Sequence, residues 1–418
     1  MTGAGFTAVE SPLDDRRLNV TFLGQVAVFA IGATSAIQVA NFTATVLSVV
    51  CLLLVPAFLL MKHRGIDLVP LVLGALGWIS YMASCLVNGV GPLWPNALAP
   101  AAFSLYLIGL TVLTGRVVDR IATVLAGLAA GTVVFFLTQG IELSNTGRFL
   151  DLWKYGIAHS VTILILFALT LVRAPLLLHA AVLGVLGLAS LGLNFRSHAL
   201  VCLLASAILF SHRLLGSRIR RGWRFAWVIA FGLLFSYVMP IAAHAGLFGP
   251  ALQAKQIEQE TTHLPILLAG RTEPPMTITA IMERPLLGWG SALKMTPEFY
   301  ARAEHFAIRM GYPPTFPFEG YWRLPPTADS AMHSLLLGSW AEGGLLAVLL
   351  PAFLLMACIG VVWSYPRFGI WAPLVMMVAL QGIWDLLYAP WAYNMLAEYA
   401  CIALLYGAVH FRAQPEGP

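Results

Sequence analysis

Three ionisable residues open an otherwise apolar run. The stretch DSAMHSLLLGSWAEGG, Asp329 to Gly344, carries Asp329, His333 and Glu342. An imidazole oriented by a carboxylate can take the proton of an attacking hydroxyl, so His333 is a candidate general base. On a helix, Asp329 and His333 are four residues apart and share a face. There the carboxylate favours the charged imidazole and fixes its orientation. The competing reading makes Asp329, with Ser330, a simple helix N-cap. Glu342 follows His333 by nine residues, half a turn out of phase at about 3.6 residues per turn. It is expected to support its helix or cap a neighbour rather than share a proton with His333.

Two further stretches carry cations suited to anions. LNFRSHALV (193–201) sets Arg196 and His198 where two apolar runs meet. A guanidinium fork held at a bilayer edge matches phosphate oxygens, and the alternative is snorkelling to lipid headgroups. LLAGRTEPPMTITAIMERPLLGWG (267–290) places Arg271 ahead of a predicted helix, in a position suited to phosphate capture. Its alternative is ordinary surface charge on a loop, which applies still more to Arg284. Glu283 and Arg284 are adjacent and point different ways on a helix. Gly288 and Gly290 suggest a tight turn. Within apolar runs lie Gln381, Asp385, Asn394 and Glu398, which are costly in a bilayer unless functional or paired with a neighbouring helix. His159 and His179 read as hydrogen-bonding groups of the interior. Five cysteines scattered through apolar segments give neither metal-ligand spacing nor a disulfide framework.

What must position these groups is a membrane. The 418 residues are 59% hydrophobic and 10% charged, with mean hydropathy +0.82. A soluble domain carries about 25% charged residues. The apolar runs are near 20 residues long, so the expected fold is an all-α polytopic membrane protein of about 12 transmembrane helices. The spans fall near 19–38, 42–61, 68–88, 95–114, 121–139, 157–172, 176–194, 199–214, 225–247, 345–365, 369–388 and 393–411. Placing the N-terminus inside gathers Arg16, Arg17, Lys62, Arg64, Arg116, Arg120, Arg173, Arg213, Arg218, Arg220, Arg221, Arg224, Arg367 and Arg412 on one side. The short outer loops keep Arg148, Lys154 and Arg196. That asymmetry predicts both termini in the cytoplasm. The first residues lack an apolar core and a small-residue cleavage site, so they read as a cytoplasmic tail. The net charge of +5 reports topology rather than nucleic-acid binding.

One outer connection is much longer than the rest. The expected organisation is spans 1–9 over 1–247, an extracytoplasmic lid over 248–330, and spans 10–12 with a short tail over 331–418. The lid holds seven Lys/Arg and eight Asp/Glu, and recurrent aromatic residues that argue for folding. A short helix is predicted from Met276 to just before Pro285, and another with Pro297 in its first turn and Gly311 after its end.

The order of these pieces resembles a known family. FRSHALV enters a span, GR precedes a helix and then RPLLGWG, and AMHSLLLGSWAEGGLLAVLLP follows a long outer loop. This resembles the bacterial O-antigen ligase and O-antigen polymerase superfamily of membrane glycosyltransferases, from about Gly187 to Leu355. The chain departs from the family's commoner patterns at His333-Ser334, where His-Asn is more usual, and at SHAL after Arg196. The resemblance implies an inverting, metal-independent enzyme without a cofactor in the bacterial inner membrane, its active site facing the periplasm. Its donor would be an undecaprenyl-pyrophosphate-linked glycan and its acceptor a lipid A–core hydroxyl. A polymerase would extend another carrier-linked glycan instead. By position, Arg196 and Arg271 would hold the pyrophosphate and His333 would activate the acceptor. His198 and Arg284 are further candidate substrate contacts, and Asp329 and Glu342 supporting residues.

Other classes are weighed against this. A transporter or flippase for lipid-linked sugars would also want arginines in a membrane cavity, but no internal repeat is evident. An enzyme using polyprenyl-monophosphate sugars would be expected to show acids in the first outer loop, which here is QVANFT. A peptidoglycan-type polymerase shares the long outer segment but contributes no specific motif.

Overall fold

The computed structural model describes residues 12–40, 44–63, 65–140, 148–215, 221–246, 253, 272–322 and 332–410. Apart from a small ribbon of β1 (Gln38–Ala40) and β2 (Ala44–Thr45), the described elements are helical. In order they are α1 (Pro12–Ala33), α2 (Val46–Leu53), α3 (Val55–Leu60), α4 (Val69–Val87), α5 (Pro95–Thr114), α6 (Val118–Gln139) and the single turn α7 (Arg148–Asp151). Then come α8 (Ala158–Leu171), α9 (Leu176–Gly192), α10 (Arg196–Leu215) and α11 (Arg221–His244). After the long connection follow α12 (Pro274–Glu283), α13 (Pro297–Met310), α14 (Phe318–Trp322), α15 (Leu335–Gly343), α16 (Leu349–Ser364), α17 (Ala372–Tyr388) and α18 (Tyr393–His410).

Helix thus occupies each apolar run read from the sequence. Among the described residues, five helical stretches are long and apolar enough to cross a membrane: Val69–Val87, Pro95–Thr114, Val118–Gln139, Phe149–Leu171 and Leu349–Tyr388. The chain is an all-α membrane protein. The run 42–61 is not one helix. It breaks at Leu54, and Pro56 stands at the start of α3. Proline lacks the N–H that a continuous helix would donate there, and its ring crowds the preceding turn. Thr45 closes the other end of α2 by a capping box with Ser48.

In a bilayer the hydrophobic effect does not drive helices together, so close backbone approach must. α6 meets α1 through Gly127 and Gly131, spaced as small-xxx-small. A Cβ on Gly127 would stand 2.2 Å from the Phe29 carbonyl oxygen, and one on Gly32 would stand 2.8 Å from that of Val124. α17 lies innermost. Its residues from Ala372 to Gly382 are all buried, and it packs on α10 and α16.

The segment 272–322 folds on itself. Met276, Trp289, Phe299, Tyr300, Tyr312, Phe318 and Trp322 form a separate hydrophobic core that also takes in Met332 and Ala341. Aromatic pairs within it pack tilted or edge-on, as between Trp289 and Phe299 at 5.2 Å. The helix expected from Met276 begins at Pro274, two residues earlier, and ends at Glu283. α13 begins at Pro297, with Thr296 as N-cap, and stops at Gly311, whose φ of 115° suits glycine.

Candidate functional site

His333 does not lie on a helix. Ser334 is the N-cap of α15, its hydroxyl accepting from the Leu337 N–H at 3.2 Å and donating to the Leu386 carbonyl at the end of α17. His333 therefore precedes the helix, and the helical spacing that would have set it one turn beyond Asp329 does not operate there. Asp329 itself, like Arg271, lies outside the described residues.

Among the described residues, a carboxylate that stands beside His333 is that of Glu273. His333 Nδ1 stands 2.9 Å from Glu273 Oε1, with side-chain exposures of 31% and 14%. Local sequence bears on why this carboxylate does not cap its own helix. Glu273 is the N-cap of α12, where a side chain ordinarily accepts from the N–H groups of the first turn. The next two residues are Pro274 and Pro275, which have no N–H. Glu273 makes no side-chain cap bond and reaches His333. The helix N-terminus behind it favours its negative charge. Tyr312 lies close enough to feel it. Burial, and secondarily the Glu273 charge, push the Tyr312 phenol up to about 12, so it stays neutral.

Glu342 ties the neighbouring pieces together. It is 3% exposed, in the last turn of α15. Its Oε1 accepts from the Ala292 N–H at 3.2 Å, and its Oε2 from Asn96 Nδ2 at 2.8 Å and Trp94 Nε1 at 3.5 Å. Its carbonyl accepts from the Gly290 N–H and from Ser84 Oγ. Burial pushes this carboxyl up to about 7, against three donors that favour its charge.

Arg284 closes the turn after α12. Its guanidinium lies 3.8 Å from the centroid of the Trp289 ring, and its Nη1 donates to Asn88 Oδ1. Glu283 points elsewhere, accepting from Arg302 Nε and, at 3.0 Å, from Arg302 Nη2. Gly288 and Gly290 adopt φ of 70° and 74°, the tight turn their spacing suggested. A Cβ on Gly288 would stand 2.4 Å from the Glu342 carbonyl oxygen.

Arg196 and His198 part company. Arg196 begins α10 and is partly exposed. His198 is fully buried, stacked on Phe195 at 5.4 Å, with Nε2 3.1 Å from Thr162 Oγ1 on α8. Residues two apart on a helix do not face the same way. His198 is thus placed to join helices rather than to meet a ligand alongside Arg196. The structure sets His333 and Glu273 at the N-terminal ends of α15 and α12, Glu342 and Arg284 at their C-terminal ends, and Arg196 on a different helix.

A second polar group lies inside the bundle. His159 Nε2 on α8 is 2.9 Å from Glu398 Oε1 on α18, and Gln381 Nε2 donates to Asp385 Oδ1 on α17 at 2.9 Å. His179 is also interior, with Nδ1 3.2 Å from the Pro175 carbonyl oxygen. Among the described residues no three His, Cys, Asp or Glu side chains are grouped to hold a metal ion.

Sequence reasoning missed Glu273, Asn88, Asn96 and Trp94. For Glu273 a signal existed: an acid before two prolines is an N-cap with little in its own helix to cap.

No protein-family model matches the chain, and no curated protein matches it.

Proposed function

We propose that the chain is an O-antigen ligase-like glycosyltransferase of the bacterial inner membrane. It would cross the bilayer about 12 times, with both termini in the cytoplasm and the segment 248–330 as a periplasmic lid. It moves a glycan from undecaprenyl pyrophosphate to a lipid A–core hydroxyl. The observation that carries the reading is the pair His333–Glu273, which clasps the start of the lid helix to the segment that follows the lid.

In a neutral ring, the Glu273 carboxylate 2.9 Å from Nδ1 would keep the proton on that nitrogen and leave the His333 Nε2 lone pair to act as base. The acceptor hydroxyl gives its proton to Nε2 as its oxygen bonds to the anomeric carbon. The bond from that carbon to the pyrophosphate oxygen breaks, the carrier pyrophosphate leaves with the electron pair, and the anomeric centre inverts. Pyrophosphate needs charge stabilisation more than an acid. Arg196 and Arg271 are the residues that the resemblance assigns to it. A folded lid orients two large substrates and excludes water.

The test is transfer by purified protein from an undecaprenyl-pyrophosphate glycan to a panel of acceptors, with EDTA and without an ion gradient. Wild type is compared with His333→Ala and Arg271→Ala. Transfer that resists EDTA and is lost in both folded variants supports the reading, and the acceptor used separates ligase from polymerase. Undiminished transfer by His333→Ala removes the base. Absence of transfer by wild type to every acceptor favours the transporter class.

A further inference from the structure

The turn between α12 and α13, Arg284-Pro285-Leu286-Leu287-Gly288-Trp289-Gly290, exposes its leucines and hides its aromatic residue. Leu286 is 68% and Leu287 46% exposed, while Trp289 is 4% exposed. A soluble loop turns these preferences round, because two adjacent exposed leucines gain nothing in water.

The depth of the turn can be read from α4. α4 has 19 residues, about 28 Å at 1.5 Å per residue, close to the roughly 30 Å of a hydrocarbon core. The turn is bonded to the last turn of this helix rather than above it. Cys85 Sγ lies 3.8 Å from the Gly290 carbonyl oxygen, and a Cβ on Gly290 would meet the Ser84 carbonyl oxygen at 3.2 Å. Asn88, the first residue beyond α4, donates through Nδ2 to the Gly288 carbonyl at 3.3 Å. On its other side the turn is stitched to the entry of α16. The Leu345 N–H donates to the Leu286 carbonyl at 3.1 Å, and the Trp289 N–H to that of Ala341 at 2.9 Å.

Exposed apolar residues flank these junctions on both sides. Leu86 and Val87 at the end of α4 are 83% and 67% exposed, and Leu345 and Leu346 before α16 are 42% and 43% exposed. Leu286 and Leu287 lie in the turn that bonds to the exposed apolar end of α4 and to the exposed apolar entry of α16. Arg284 begins the turn, with its guanidinium on Trp289, as a cation at the headgroup level does when its stem lies over apolar surface.

We infer that this turn is a membrane anchor: Leu286 and Leu287 enter the acyl-chain boundary of the lipid leaflet, and Arg284 stays among the lipid phosphates. The segment 272–322 is then held to the bilayer directly and not only through the bundle. The inference is independent of the proposed transferase activity.

Nitroxide accessibility tests it. Leu286→Cys and Leu287→Cys are made separately in the full chain, labelled, and placed in phosphatidylcholine–phosphatidylglycerol nanodiscs. The five native cysteines are buried, and unsubstituted protein gives the background labelling. Val87→Cys serves as the lipid-facing reference and Glu298→Cys, at the exposed start of α13, as the aqueous one. The ratio of oxygen to nickel-chelate collisions at 286 and 287 is expected to be several-fold above that at 298 and to approach that at 87. A ratio equal to that at 298 overturns the anchor. If either labelled variant fails to fold, hydroxyl-radical footprinting of the unsubstituted protein in the same nanodiscs decides. Leu286 and Leu287 are then expected to oxidise several-fold less than Ile308 of α13, despite their greater exposure. Equal or faster oxidation overturns the proposal.

Discussion

His333 and Glu273 are 60 residues apart in the chain and 2.9 Å apart in the structure. The pair joins the residue before one helix to the cap of another, and neither residue is held by a helix interior. A base in this position owes its orientation to its partner. In the proposed reaction, His333→Ala is expected to lower transfer by roughly a hundredfold to ten-thousandfold, the usual range for a positioned base. Glu273→Gln is expected to lower it by roughly a hundredfold or less, the scale of a small misplacement. Single-turnover transfer by reconstituted protein measures both. Equal losses would mean that Glu273 does more than orient.

Glu342 predicts a pH dependence of stability. Its carboxyl is raised by burial from 4.5 to about 7, so the folded protein keeps a proton that the unfolded chain releases. The associated stability is fully present below pH 4.5 and is lost as pH rises through about 7. The upper bound is about 3–4 kcal/mol at about 1.4 kcal/mol per pH unit. The apparent unfolding midpoint in detergent is therefore expected to fall between pH 5 and pH 8 in wild type. Glu342→Gln starts lower, because an amide offers fewer acceptors to Asn96, Ala292 and Trp94, but loses the slope assigned to this group. A slope unchanged in Glu342→Gln would assign it to another residue.

Gly344 and Gly140 separate backbone strain from steric contact. Both adopt a region open essentially to glycine, with φ, ψ of 81°, −171° and 74°, −166°. A Cβ on Gly344 would stand 2.0 Å from the Leu286 carbonyl oxygen, whereas one on Gly140 meets nothing within 4 Å. Gly140→Ala is expected to cost about 1–3 kcal/mol from conformation alone. Gly344→Ala is expected to cost more, because Leu286 must also move. Thermal midpoints of the two variants, measured side by side, check the order.

The His159–Glu398 pair predicts coupling between α8 and α18. Replacing either residue with leucine leaves the other partly buried without its charge partner. The double variant is expected to be less destabilised than the sum of the singles, by roughly 0.5–3 kcal/mol. A double-mutant cycle on unfolding midpoints measures it, and strict additivity would show that the contact contributes nothing.

Much of the helical framework was legible because it follows local rules. Pro297 and Gly311 bracket α13, and apolar runs of membrane length become helices. Pro56 carries the same kind of signal, and it divides one expected helix into two. The site was less legible, since it depends on contacts between distant segments. Asp329 is the nearest acid to His333 in sequence, but Glu273, which the fold brings beside it, lies 60 residues upstream at the start of another helix. Arg196 and His198 were read together because they are neighbours in sequence, yet helix geometry turns them to different surroundings.

The clasp between Glu273 and His333 has a consequence for how such a chain can vary. It closes residues 273–333 into a ring whose two ends meet at the edge of the bundle. Doubling the length of a loop with fixed ends costs only about 0.6 kcal/mol. Insertions, deletions or whole exchanges at the surface of this module leave the ends, and the helices they rest on, where they are. Length can thus vary at exposed positions of this segment at little cost, whereas the stretch 284–292, bonded to α4 and to Glu342, is fixed to the bundle.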